Sequence, residues 1–245
     1  MIIRRHGDHH FLLPQPEHAR QSAMIVSYLK PEFLGDGERQ SEIIMATKHH
    51  DDGWRKWEDA PQRAANGLPV DFLEMDSGAH HEVWFRTIFD NLRERGPAVA
   101  TLIARHGAEL LGHDDAMKAH FDGVLATLRK SAWPELSDEA SQFRMERGFA
   151  ALFFADGLSL AASAVLDREW KFQLLREDRS SVEITARFLR DWTVSVDPWP
   201  FCVDRLDNIF VDAIIVPVGQ EQFACDFFLK RADHRVRVNI NYVPA

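Results

Sequence analysis

Asp156 stands where an apolar side chain is expected. It lies in the strip Phe149, Leu152, Phe153 and Leu160 of a long helix-period pattern. Burying a bare carboxylate there costs roughly several kcal/mol unless a cation or an arginine compensates it, and this residue alone leaves both open. His106 interrupts a second strip, between Ile103 and Leu110. Such an imidazole is either a hydrogen-bonded core residue or a ligand. His18 sits near a helix start, and His50-Asp51 closes another helix, where a histidine also complements the helix dipole. Together His18, His50, Asp51 and Asp156 form a mixed imidazole and carboxylate set of the kind that suits iron, manganese, zinc or magnesium.

Those four residues come from three predicted helices, each beside an apolar face. A bundle burying these faces brings the ligands to one centre. His18, Ser22, Ile25 and Leu29 share one side of a helix that Pro16 begins and Pro31 ends. Ile43, Ala46 and His50 share a side of the next, from about Arg39 to Asp51, which Gly53 stops. Residues 54 to 78 read as irregular. Helices are expected from about Ala79 to Arg95, through Val99, Leu102, Ile103 and His106, and from about Asp115 to Lys130. The longest is capped by Ser137 and carries Asp156. Ile2 to Arg5 and Phe11 to Leu13 predict a hairpin. Period-two alternation takes over near residue 168. Phe210–Val218, Phe223–Leu229 and Val236–Tyr242 are the predicted strands. The flanking prolines of Trp199 predict a rigid corner under the sheet.

The order His18 … His50-Asp51 … Asp156 resembles the H…HD…D pattern of the HD superfamily, mostly metal-dependent phosphohydrolases built from helices. Gln15-Pro16-Glu17-His18-Ala19, His50-Asp51-Asp52-Gly53-Trp54, Asp71-Phe72 and Asp197-Pro198-Trp199-Pro200-Phe201 are similar to an uncharacterised bacterial family, domain of unknown function 3891, related to the HD proteins. The resemblance implies one α+β domain over residues 1–245. It would comprise an HD-like all-helical core over 15–167 and an antiparallel β layer from 1–14 and 170–245. It implies one or two divalent metals per chain. His18, His50, Asp51 and Asp156 would hold the first, and His80 and His106 a second. His80 is preferred to His81 because it shares a helical face with Trp84. Asp51 and His106 are the implied catalytic side chains, Asp51 orienting a metal-activated water. The implied substrate is a small phosphorylated metabolite or nucleotide. Arg55, Lys56, Arg86 and Arg105 are candidate phosphate holders. A di-iron HD-type oxygenase and a non-catalytic metal or ligand sensor are the alternatives.

The 245 residues carry a net charge of -9, which disfavours general nucleic-acid binding. The N-terminal stretch lacks a signal peptide's apolar core, and no apolar run is long enough to span a membrane. Cys202 and Cys225 make neither a zinc pair nor a disulfide framework, so the expected home is the cytoplasm. Gly157-Leu158-Ser159-Leu160-Ala161 falls inside a helix pattern, which argues against a nucleophile elbow. His9, His10 and His113 read as solvated loop residues.

Overall fold

Chain entry is set by a turn and two prolines. Gly7, at φ +57°, closes a hairpin of β1 (Ile2–His6) and β2 (His9–Leu13), and Pro14 then redirects the chain. With Pro16 in its first turn, α1 (Gln15–Ser27) begins. Then come α2 (Pro31–Leu34), α3 (Gly37–His49) and the short α4 (Trp54–Asp59). Asp76 accepts a hydrogen bond from the Ala79 N–H at 2.9 Å, which caps α5 (Ser77–Arg95). The last helices are α6 (Pro97–Leu111), α7 (Asp115–Ala132) and α8 (Glu139–Ser163). Five strands complete the chain: β3 (Glu169–Leu175), β4 (Ser181–Arg190), β5 (Thr193–Asp197), β6 (Leu206–Pro217) and β7 (Arg235–Pro244). The computed structural model describes residues 1–35, 37–111, 115–132, 139–163, 169–190 and 192–245. Ser137, His113 and the expected switch at residue 168 lie outside the described residues.

The expected HD-like all-helical core with an antiparallel β layer is not what the chain forms. Both helix and sheet are large, and the sheet is one curled, mixed, seven-stranded unit. Its order is β1-β2-β6-β7-β5-β4-β3. Every neighbouring pair is antiparallel except β5 and β7, where Thr193 lies beside Asn241 and Val196 beside Pro244 in parallel register. Alternation reports which residues face the core but carries no information about partner or direction. The N-terminal hairpin joins this sheet, with Leu12 opposite Ile214. The strand expected at Phe223–Leu229 is instead a pair of 3-10 turns, Glu221–Phe223 and Phe228–Lys230. Its apolar residues cap a satellite cluster, where Ala224 and Phe228 pack with Leu12 and Val216.

Helices and sheet share one core, with Ile25, Leu152, Ile209 and Tyr242 in the same cluster. Gly157 permits this contact. A Cβ there would stand 2.3 Å from the ring of Phe172, so only glycine lets α8 lie against β3. The expected corner at Trp199 follows β5. The Lys30 N–H donates to the Pro200 carbonyl at 3.0 Å, and Cys202 N–H donates to Tyr28 at 2.9 Å, tying the corner to the end of α1.

Candidate metal centre

α1 and α8 bring His18 and Asp156 together, and the turn after α3 adds His50 and Asp51. That turn is held by glycine as well. A Cβ on Gly53 would meet the Val83 carbonyl oxygen at 2.2 Å, and its own N–H donates to Thr87 Oγ1 at 2.9 Å. α5 thereby presses the His50-Asp51 turn inward. The neighbouring Asp52 points the other way, taking hydrogen bonds from His49 at 2.7 Å and Arg55 at 2.9 Å. Burial alone would raise its carboxyl, but these partners hold it below the usual range.

Five side chains converge. His18 Nε2 is 2.6 Å from Asp156 Oδ1, His50 Nε2 is 3.2 Å from the same oxygen, and His106 Nε2 is 3.4 Å from Oδ2. Asp51 Oδ2 is 3.4 Å from His50 Nε2. All five are buried. The compensation of Asp156 is therefore a ring of imidazoles, and no arginine is paired with it among the described residues. Burial alone would raise its carboxyl. The imidazoles of His106, His18 and His50 outweigh that and hold it well below the usual range.

For His50 and His18 the second nitrogen of the ring fixes what faces the centre. His50 Nδ1–H donates to the Thr47 carbonyl at 2.7 Å, so Nε2 carries the lone pair of the neutral ring. His18 is fixed through a serine. Ser159 donates its single proton to Gln21 Oε1 at 2.7 Å, so at 2.7 Å its oxygen accepts from His18 Nδ1–H. His18 Nε2 then presents a lone pair to a carboxylate oxygen at hydrogen-bond distance. Only a proton or a cation between them makes that contact attractive. Metal-bound histidines show this pattern, the outer nitrogen donating and the inner one bare. Without a metal, His50 tends to hold a second proton: burial lowers its pKa, but the carboxylates of Asp51 and Asp156 outweigh this and raise it to about 9.

Neither His50 Nε2 nor either nitrogen of His106 has a hydrogen-bond partner among the described residues. Burial holds His106 below its ordinary pKa, so the ring is neutral. Ligand atoms of His18, His50 and Asp51 lie within 4.8 Å of one another, as do those of His50, His106 and Asp156. Each group could hold a metal ion. His80 stands apart. It faces the same cavity, but its Nε2 bonds the Phe72 carbonyl at 3.0 Å and its ring packs on Trp54.

The cavity above the centre measures 340 Å³. Trp54, Phe72, Trp84, Leu111 and Leu160 wall it, and the exposed Leu73 and Leu110 flank its mouth. A second cavity meets it at Asp156, Leu110 and Leu160 and runs toward β3, where Glu169 and Lys171 stand. The four expected phosphate holders line neither. Arg55 pairs with Asp52, Arg86 with Glu82 and Arg105 with Glu109 and Glu146, and Lys56 lies exposed on α4. Sequence reasoning missed Gln21, Ser159 and Tyr242. Gln21 Nε2 donates to the Tyr242 oxygen at 3.0 Å, which extends the chain from His18 into the sheet. Their signal was polar residues one turn from His18 and Asp156 on faces otherwise apolar.

The model of a family described as a protein of unknown function, DUF3891, matches residues 1–217. The chain belongs to that family. No curated protein and no solved structure matches it. None of the described helices is long and apolar enough to cross a membrane.

Proposed function

We propose that this protein is a metal-dependent hydrolase acting on a small phosphorylated substrate, with His18, His50, Asp51 and Asp156 holding one divalent cation. The observation that carries this is the pair of bare, buried Nε2 atoms turned on Asp156 at the inner end of an open cavity. Catalytic metal sites keep such an open approach, whereas structural ones are closed by protein ligands. A bound cation there would supply a Lewis acid and lower the pKa of its water. The phosphate ester as substrate draws on the resemblance of the H…HD…D pattern alone.

One ion is favoured over two. The two ligand groups share His50, and with Nδ1 tied to Thr47 that ring offers a single lone pair. His80, the outlying second-metal candidate, has its Nε2 on Phe72. That disfavours the di-iron oxygenase. Asp51 lies on the cavity wall, where its carboxylate can take a proton from an incoming water. His106, neutral and without a partner, can hold a proton near the leaving oxygen. In the net reaction water's oxygen bonds phosphorus, the ester P–O bond breaks and the alcohol departs with a proton.

The test is elemental analysis of protein purified without chelator, followed by a phosphomonoester panel. One manganese, zinc, iron or magnesium per chain with turnover is expected, and Asp51→Asn should abolish turnover. Two irons per chain with a visible spectrum, or a metal with no turnover on any ester, would overturn the proposal.

A further inference from the structure

The walls of the metal-centre cavity restrict what can enter it. Among the described residues that line it the carboxylates are Asp51 and Asp156, both at the inner end beside the histidines, and none is a lysine or arginine. The nearest cation on the adjoining cavity is Lys171, more than half exposed and paired with Glu183 at 3.0 Å. A cation bound by the two carboxylates would answer one phosphate, but the further negative charges of a nucleoside triphosphate would meet no guanidinium or ammonium among the described lining residues. Desolvated phosphate oxygens without charged donors are strongly disfavoured.

Apart from the imidazoles of the centre, the described walls hold one unanswered polar group. Gln15 opens α1 and is 3 % exposed, yet its Oε1 has no hydrogen-bond partner among the described residues. Its backbone is fixed, because its N–H donates to Glu58 Oε1 at 2.9 Å. A buried amide oxygen left bare is costly and uncommon, and a ligand hydroxyl or N–H satisfies it. Around it Trp54, Phe72, Trp84, Met75 and Leu160 offer only apolar or aromatic surface.

We infer that the cavity takes a substrate with an apolar, aromatic or aliphatic body, at most one phosphate, and one hydrogen-bond donor that Gln15 reads. A cavity of 340 Å³ sits near the small end of ligand sites and suits a compact molecule. The inference rests on the hydrolase reading only for the position of the phosphate. The body's chemistry follows from the walls.

Two measurements on the full-length, metal-loaded protein separate the ideas. The first tests the body and the charge alone, by turnover and competition among naphthyl phosphate, glycerol phosphate and ATP. Naphthyl phosphate should be preferred at least about tenfold in kcat/KM, and ATP should not compete. Preferred turnover of ATP, or of glycerol phosphate, overturns this inference and leaves the hydrolase standing. The second measures 2-naphthol binding by calorimetry, which needs no catalysis. Gln15→Leu should weaken it by about three- to tenfold, the worth of one neutral hydrogen bond, while naphthalene-2-sulfonate, which lacks a donor, should bind both proteins equally weakly. Gln15→Asn, which keeps the amide but shortens it, guards against misfolding and should lie between the two. Naphthol bound equally by all three proteins, or not bound by the parent, overturns the inference. Naphthol bound as expected with no ester turned over leaves it standing and removes the hydrolase.

Discussion

Two buried polar clusters meet at His18, and they differ in whether their atoms are answered. On one side Ser159 and Ser163 donate to Gln21 Oε1, Gln21 donates to Tyr242, and Ser22 donates to the His18 carbonyl. On the other, His50 Nε2 and His106 Nε2 face Asp156 with no hydrogen bond, and His106 Nδ1 has no partner among the described residues. Both clusters are equally deep. Burial therefore does not separate a site from a core; satisfaction does. Buried polar groups in a finished core are paired, whereas the unpaired Nε2 atoms of this cluster are candidate ligand atoms gathered around one carboxylate. The answered cluster looks after the unanswered one, because the Ser159 proton decides which nitrogen of His18 is bare.

The largest effect should come from Asp156→Asn. It keeps the shape and removes the anion that three imidazoles face. Losing the charged partner of a buried pair costs about 3–5 kcal/mol, so metal affinity should fall roughly a hundredfold to several thousandfold, read by metal titration. Chelator should lower the Tm of the parent and leave the variant almost unmoved. A variant that still binds one ion with parental affinity would erase the contrast between the clusters.

Next in size is the pH response of metal-free protein. His50 is raised from an ordinary 6.5 to about 9. A raised histidine contributes stability that is fully present below the unfolded pKa and is lost as pH rises through the folded one. Chelated protein should therefore lose on the order of 3 kcal/mol between about pH 6.5 and 9. In the metal-loaded protein the cation replaces that proton, so its stability should stay flat over the window. Denaturant midpoints across that range check it, and parallel curves for the two forms count against a cation at His50.

Much of the unanswered cluster was legible in the sequence, and little of its support was. Asp156 and His106 declared themselves because a charge and an imidazole interrupt apolar strips, which a helix-period pattern displays directly. His50-Asp51 was marked by its place at a helix end before Gly53. The sheet was legible only as alternation, so the parallel pairing of Val194 with Tyr242 stayed hidden. So did Gln21 and Tyr242, since 221 residues separate them and nothing local predicts that contact. The four arginine and lysine candidates failed for a related reason. Whether a cation faces a cavity or a neighbouring glutamate depends on tertiary position, and Arg105 found Glu109 one turn away.

Gln21→Leu tests the dependence of one cluster on the other. The change removes the acceptor for the Ser159 proton, which is then free to donate to His18 Nδ1. The imidazole proton would shift to Nε2, toward Asp156, and compete with a cation. Outer hydrogen bonds of this kind change metal affinity by about 10- to 100-fold, and loss of the Gln21 partner of Ser163 and Tyr242 should lower stability by roughly 1–3 kcal/mol. Nitrogen-15 shifts of the His18 ring distinguish the tautomers. A drop in stability with unchanged metal affinity and tautomer would make this cluster ordinary core.

The smallest effect should come from His80→Ala, and it separates a cavity wall from a ligand. His80 is half-buried, bonds the Phe72 carbonyl and packs edge-on against Trp54 at 5.3 Å between ring centres. Its Nε2 already has the partner that the rings of His50 and His106 lack. Removing it deletes one partly exposed hydrogen bond, worth about 1 kcal/mol, and some aromatic contact. Metal stoichiometry should stay at the parental value, with Tm lowered slightly. If His80 instead held a second ion, the variant would carry half the parental metal, and the two-metal arrangement would return. His106→Ala is the matching control. It removes a ring whose unanswered Nε2 lies 3.4 Å from Asp156, so its loss should weaken the bound ion where the loss of His80 does not. Equal responses from the two variants would mean that an unpaired nitrogen is no guide to which histidines belong to the site.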